Sequence, residues 1–153
     1  MLWGGKLNYN ISVEIDASIE DAFSAVSHEI EKWWGKVDNT KPILYEEFSI
    51  FFGKTEWRFV IADYILNEKV IWRCIKAKHY DGDRTDIREE WLGTEITWQF
   101  KEKNSHVEIS LLHNGLTPEL NCYDICESGW NYFAGSSLKQ YLESGNGNPH
   151  IEK

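Results

Sequence analysis

Leu7, Tyr9, Ile11, Val13 and Ile15 alternate with Asn8, Asn10, Ser12, Glu14 and Asp16. A period of two held over ten positions predicts a strand with one buried face. The period changes at Ser18-Ile19-Glu20-Asp21, where a serine precedes an acid by three residues just before Ala22, Phe23 and Val26. That spacing predicts a capped helix start. A second short helical piece over 29–34 runs into Gly35, read as a left-handed stop.

Strand periodicity returns from about residue 43. Phe48, Ile50 and Phe52 alternate up to a turn at Gly53-Lys54, and Trp57, Phe59 and Ile61 define the inward face of the next strand. After a turn at Asn67-Glu68, residues 70–77 form a fourth strand. It is apolar on both faces, with Val70, Trp72 and Cys74 opposed by Ile71, Ile75 and Ala77, so its inward side stays open. Residues 79–90 contain Asp81-Gly82-Asp83-Arg84-Thr85-Asp86 and read as a loop. Ile96, Trp98 and Phe100 mark a fifth strand, and Val107, Ile109 and Leu111 a sixth beyond a turn at Lys103-Asn104. Gly115 and Pro118 end the sheet region. A long helix then spans about 121–144. Tyr123, Cys126, Trp130, Phe133, Ala134, Leu138 and Tyr141 fall within one arc of it, and Gly145 stops it. Residues 146–153 read as a frayed tail.

These elements predict an α+β domain: a curved antiparallel sheet of about six strands wrapped on a long C-terminal helix, with two short helices after strand 1. The apolar stripe of the last helix needs a large surface to cover, and the inward strand faces supply it. A rod laid across a curved sheet encloses a pocket. The 153 residues make one domain, with a core over about 7–145.

Composition narrows the function classes. Sixteen basic against 25 acidic residues leave a formal charge of −9 with no basic stripe, which argues against nucleic acid. No apolar run approaches the ~20 residues that span a bilayer, and residues 1–6 do not resemble a leader. The three cysteines cannot all pair, which points to reduced thiols and a cytoplasmic protein.

Eight tryptophans exceed what a core of this size needs, so some are expected to line a cavity. Trp57, Trp98 and Trp130 are the first candidates, with Trp72 at the wall. Phe59, Phe100 and Leu111 on the strands, and Phe133 and Ala134 on the helix, complete the expected apolar lining. The same rings could instead fill the core and leave no void. Trp33, Trp34 and Trp91 could add to the walls or mouth. His113 continues the inward face of the sixth strand and could carry a proton, or be satisfied by a neighbour. His28, His79, His106 and His150 read as exposed. Cys122 and Cys126 stand one helical turn apart, but a metal needs about four ligands and no second pair appears, so they read as packing residues and no metal or cofactor is expected. Arg58, Arg73, Arg84 and Arg88 could approach the cavity; Arg73 would clamp a carboxylate if it points inward, or pair with acids across a solvated face. Phosphate-binding glycine loops, a nucleophile elbow and HExxH are absent from the sequence.

The order of elements resembles the START-like (SRPBCC) superfamily with its helix-grip fold, and within it the family of activators of heat-shock protein 90 ATPase. The residues that carry the resemblance run from Val13 to Phe23, then Trp33-Trp34-Gly35, then Trp91-Leu92-Gly93-Thr94-Glu95-Ile96-Thr97-Trp98, then Gly129-Trp130 and positions 138–145. Together they cover roughly 8–145. The resemblance implies a hydrophobic ligand held between sheet and helix; some members of the superfamily are cyclases, aromatases or hydrolases. ATPase activators proper carry a further amino-terminal domain, and this chain begins almost at its first strand. The expectation is therefore binding of a small hydrophobic or aromatic ligand without a covalent step. The alternatives are a polyketide cyclase-like or aromatase-like enzyme with His113 or a tyrosine as proton carrier, and a module that contacts a chaperone.

Overall fold

A computed structural model describes residues 7–151; the reading that residues 1–6 carry no leader lies outside the described part. The order is β1 (Tyr9–Ile15), α1 (Ile19–His28), a 3-10 turn (Ile30–Lys32), β2 (Lys36–Val37), β3 (Glu47–Phe52), β4 (Thr55–Ile65), β5 (Lys69–Lys78), β6 (Glu95–Lys103) and β7 (His106–Asn114). The terminal helix follows as α2 (Tyr123–Tyr132), a π-helical turn (Phe133–Ser137) and α3 (Leu138–Ser144). The strands form one antiparallel sheet of seven in the order β1-β7-β6-β5-β4-β3-β2. The strand beyond the expected six is β2, whose two residues pair with Phe51 and Ile50 and were too short to show a period.

Local chemistry sets the elements where the pattern placed them. The Ser18 hydroxyl accepts the Asp21 backbone N–H at 3.0 Å, as the capping spacing requires. Gly145 ends the terminal helix with φ of 87°, a conformation that costs a side chain and costs glycine little. Gly35 does not take that conformation: its backbone runs tight against Phe52, whose ring edge would lie 3.1 Å from an added Cβ. The Trp33 indole N–H donates to the Ala25 carbonyl at 2.9 Å and ties the 3-10 turn to α1.

Two register shifts, between Arg58 and Phe59 and between Ile61 and Asp63, interrupt the β4–β5 ladder. Bulges of this kind bend the strand and increase its twist, which curls the sheet around the helix. They also settle the face of β5. Val70, Trp72 and Cys74 are buried opposite Trp98, Ile96 and Phe59, whereas Arg73 and Ile75 face out. Arg73 therefore does not clamp a ligand: its Nε and Nη2 donate to Glu95 at 2.9 and 2.6 Å on the outer surface. Arg58 and Arg84 are likewise paired with acids, Asp38 and Glu47 for the first and Asp86 for the second.

The tail is docked, not frayed. The backbone N–H groups of Asn148 and His150 donate to Ser137 Oγ at 2.7 Å and to the Trp34 carbonyl at 2.9 Å. At the other end of the sheet, Gly115 has φ of 106° and would place a Cβ 2.7 Å from the Thr94 methyl. Gly115→Ala should combine a strained backbone with a clash and cost about 2–3 kcal/mol, read from urea midpoints. A loss below about 0.5 kcal/mol would show that Thr94 can yield.

Candidate functional site

Helix and sheet do not close everywhere. A cavity of about 200 Å³ lies between the β3–β4 hairpin, the loop after β5 and the first half of the terminal helix. Trp34, Phe52, Trp57, Trp91, Trp130 and Phe133 form its aromatic walls. Tyr80 and Ile125, both 37% exposed, stand at the mouth, and Thr55, His79 and Cys126 supply the polar atoms. Gly129 contributes bare backbone, and a Cβ built there meets nothing within 4 Å.

The structure brings Trp57, Trp130 and Phe133 to this cavity. It packs Phe59, Trp72, Trp98, Phe100, Leu111 and Ala134 into the core behind the walls. Phe52, at the end of the β3 alternation, and Trp34 and Trp91, named from the sequence as possible wall or mouth residues, complete the walls. For Trp91 a signal existed: Ile87 and Trp91 are four apart in a polar segment, and both are buried.

The wall is continuous. All seven tryptophans among the described residues are buried, and they form one connected set of rings. Trp57 stacks on Trp91 with centroids 4.0 Å apart and planes at 15°. Trp91 is nearly parallel to Trp130 at 5.9 Å, and Trp34 approaches Trp130 at 4.8 Å. Each such pair adds about 0.5–1.5 kcal/mol beyond area burial.

Behind Trp130 sits His113, fully buried. The Trp130 indole N–H donates to His113 Nδ1 at 3.0 Å. An acceptor Nδ1 places the imidazole proton on Nε2, which lies 2.9 Å from Thr94 Oγ1. The Thr94 hydroxyl in turn donates to the Trp91 carbonyl at 2.7 Å. Both ring nitrogens are committed, and burial pushes the His113 pKa down to about 3. In this arrangement His113 positions the two tryptophans of the wall.

Two polar atoms beside the cavity are left over. Trp57 Nε1 and His79 Nδ1 are buried without a hydrogen-bond partner. An unmatched buried polar atom costs about 1–3 kcal/mol, and both atoms carry that cost in this structure. His79 is 6% exposed, which corrects its reading as a surface histidine: Trp57 covers its ring at 4.9 Å, and its backbone N–H donates to the Arg88 carbonyl at 2.9 Å. Arg88 itself stacks over the Tyr80 ring at 3.9 Å, at the rim of the cavity.

His79 also meets the two cysteines that the sequence left as packing residues. One ligand atom from each of His79, Cys122 and Cys126 lies within 4.8 Å of the other two. The Trp91 indole N–H donates to Cys126 Sγ at 3.2 Å. The Glu90 carboxylate accepts the backbone N–H groups of Asn121 and Cys122 at 3.0 and 2.8 Å, which fixes Cys122 at the start of α2. Hydrogen bonding to Cys126, and then burial, raise the Cys122 pKa.

An antiparallel sheet curled around a terminal helix is the START-like helix-grip fold. Solved structures share it over most of this chain. The Aha1 dimer of Colwellia psychrerythraea is 24% identical, with a TM-score of 0.74 over 92% of this chain and 99% of that one. DynU16, from the dynemicin biosynthetic locus, is 14% identical with a TM-score of 0.69, over 90% of this chain and 48% of that one. CalU16 of Micromonospora echinospora is 17% identical with a TM-score of 0.63, over 91% and 75%. No family model matches the chain, and no curated protein matches it in sequence. No helix among the described residues is long and apolar enough to cross a membrane.

Proposed function

We propose that the protein binds a small one- or two-ring aromatic molecule in the cavity between the sheet and the terminal helix. The observation that carries this reading is an aromatic-walled void of about 200 Å³ between sheet and helix. An apolar void of about 150 Å³ accommodates benzene, so the space suits a compact ring system. Burying about 200 Å² of the ligand's apolar surface contributes about 5 kcal/mol toward offsetting the entropy of association.

The reading requires no proton transfer by His113, whose nitrogens are occupied within the protein. Proteins of the same fold include one from a biosynthetic locus, which is compatible with a small-molecule ligand and does not name one.

Gly129 supplies the test, because a side chain there enters open space from the cavity wall. Gly129→Leu should fill the void while raising stability by up to about 1 kcal/mol through helix propensity. Titration of 2-naphthol should quench the wild-type indole fluorescence and raise its Tm. Gly129→Leu should weaken that binding at least tenfold. Equal binding by the two proteins, or none by the wild type, would remove the cavity from consideration.

A further inference from the structure

We propose that His79, Cys122 and Cys126 form a binding site for a zinc-class divalent cation, at the wall of the aromatic cavity. Two thiol sulfurs and one imidazole nitrogen converge from two separate parts of the chain, within 4.8 Å of one another and shielded from solvent. Zinc bonds of ~2.3 Å to sulfur and ~2.0 Å to nitrogen, arranged as a tetrahedron, separate ligand atoms by about 3.5–3.8 Å. Closing on an ion therefore moves each ligand atom by less than about 1 Å.

The surroundings suit a metal better than a plain thiol pair. His79 Nδ1 is a buried imidazole atom with no hydrogen bond of good geometry, while the ring interacts with the Cys122 thiol. The Trp91 N–H already points at Cys126 Sγ, as an outer hydrogen bond to a metal-bound thiolate would. Cys122 is fixed at the N-cap of α2 by Glu90, which accepts its backbone N–H; its thiol is held protonated in the metal-free protein, so metal binding must displace that proton. Binding breaks two S–H bonds, releases two protons to solvent and forms two metal–sulfur bonds. No oxidation state changes, and the two thiolates balance the dication while the imidazole stays neutral. Soft sulfur with imidazole selects zinc-like ions over magnesium or calcium. His79 and Cys126 also line the cavity, so the fourth coordination position faces it and takes water or a donor atom of whatever occupies the space.

Reduced protein titrated with Co(II) alone tests this. One equivalent should bind, with thiolate-to-cobalt charge-transfer absorption in the near ultraviolet and the intense visible bands of a tetrahedral ion; added Zn(II) should bleach both. Cys122→Ser and Cys126→Ser should each lower the charge-transfer intensity and weaken cobalt binding by more than the roughly 10–100-fold that loss of an outer partner costs. Trp91→Phe should fall within that outer range, and His79→Gln should shift the visible bands. Cys74→Ser, at the third buried thiol, should leave the spectrum unchanged. Absence of a charge-transfer band in the wild type overturns the site whatever the variants do, and so does a band that survives Cys122→Ser or requires Cys74. The probe is the metal alone, so its failure leaves the aromatic-ligand reading standing, and failure of naphthol binding leaves the metal site standing.

Discussion

His113 should stay unprotonated until the pH approaches 3, and the protein should lose about 5 kcal/mol through this one residue between pH 6.5 and pH 3. The folded-state pKa lies below the ordinary value of 6.5 because burial disfavours the imidazolium. The unfolded chain therefore takes up a proton that the folded chain refuses. Stabilisation from the neutral imidazole is complete above pH 6.5 and disappears as the pH falls toward 3. Protonation would also turn Nδ1 into a donor facing the Trp130 N–H, which it now accepts. Urea midpoints measured across this range should show a slope steeper in the wild type than in His113→Gln by close to one proton. The ¹³Cε1 resonance of His113 should not titrate above about pH 4. A midpoint near 6.5 would mean that the ring is reached by water and that the Trp130–His113–Thr94 chain is not formed.

Trp130→Ala should be the most damaging single change at the cavity wall, at about 3–5 kcal/mol. The indole is buried, contacts the rings of Trp34, Trp91 and Trp98, and holds His113 Nδ1. In a domain of this size such a loss lowers Tm by roughly 6–20 °C. Trp130→Phe keeps most of the ring packing and removes the N–H, so it should cost about 1–3 kcal/mol for the orphaned imidazole nitrogen. In a double-mutant cycle with His113→Gln, most of the Trp130→Phe cost should vanish. Strict additivity would show that the hydrogen bond contributes nothing and that packing alone places the ring.

The residues carry a good deal of this architecture openly. Strand β1 could be read because every second side chain is apolar and only one face is buried. The same holds for β4, whose buried Trp57, Phe59 and Ile61 alternate with half-exposed neighbours. The stripe through Cys126, Trp130, Ala134 and Leu138 tracked the buried side of the terminal helix. A π-helical turn at Phe133–Ser137 absorbs the drift of that stripe without displacing it. Where both faces of a segment were apolar, as in β5, periodicity had no power to choose between them. The choice fell to the bulges and to Trp98 and Ile96 across the ladder.

The candidate site was legible only in fragments. Trp57, Trp130 and Phe133 lie on elements with clear periods. Phe52 ends the alternation of β3, whereas Trp34 and Trp91 sit in turns, where no period reports the direction of a side chain. His79 looked like a surface residue because Lys78 and Asp81 flank it closely, yet the Arg88 carbonyl and the Trp57 ring hold it inside. The tail looked frayed because Asn146 to Pro149 favour turns, and turn residues say nothing about what the turn rests on.

By itself, then, the sequence determined the element types, the curled-sheet-and-helix class and the aromatic character of the interior, because those follow from side-chain periodicity and composition along the chain. Only the tertiary structure decided which tryptophans face a void, which imidazole nitrogens are spoken for, and that a histidine from the loop after β5 meets two cysteines of α2. Those outcomes depend on contacts between residues tens of positions apart, such as His79 with Cys122 and Thr94 with His113. Local pattern cannot encode such contacts, because it records which face a side chain occupies and not what waits on the other side.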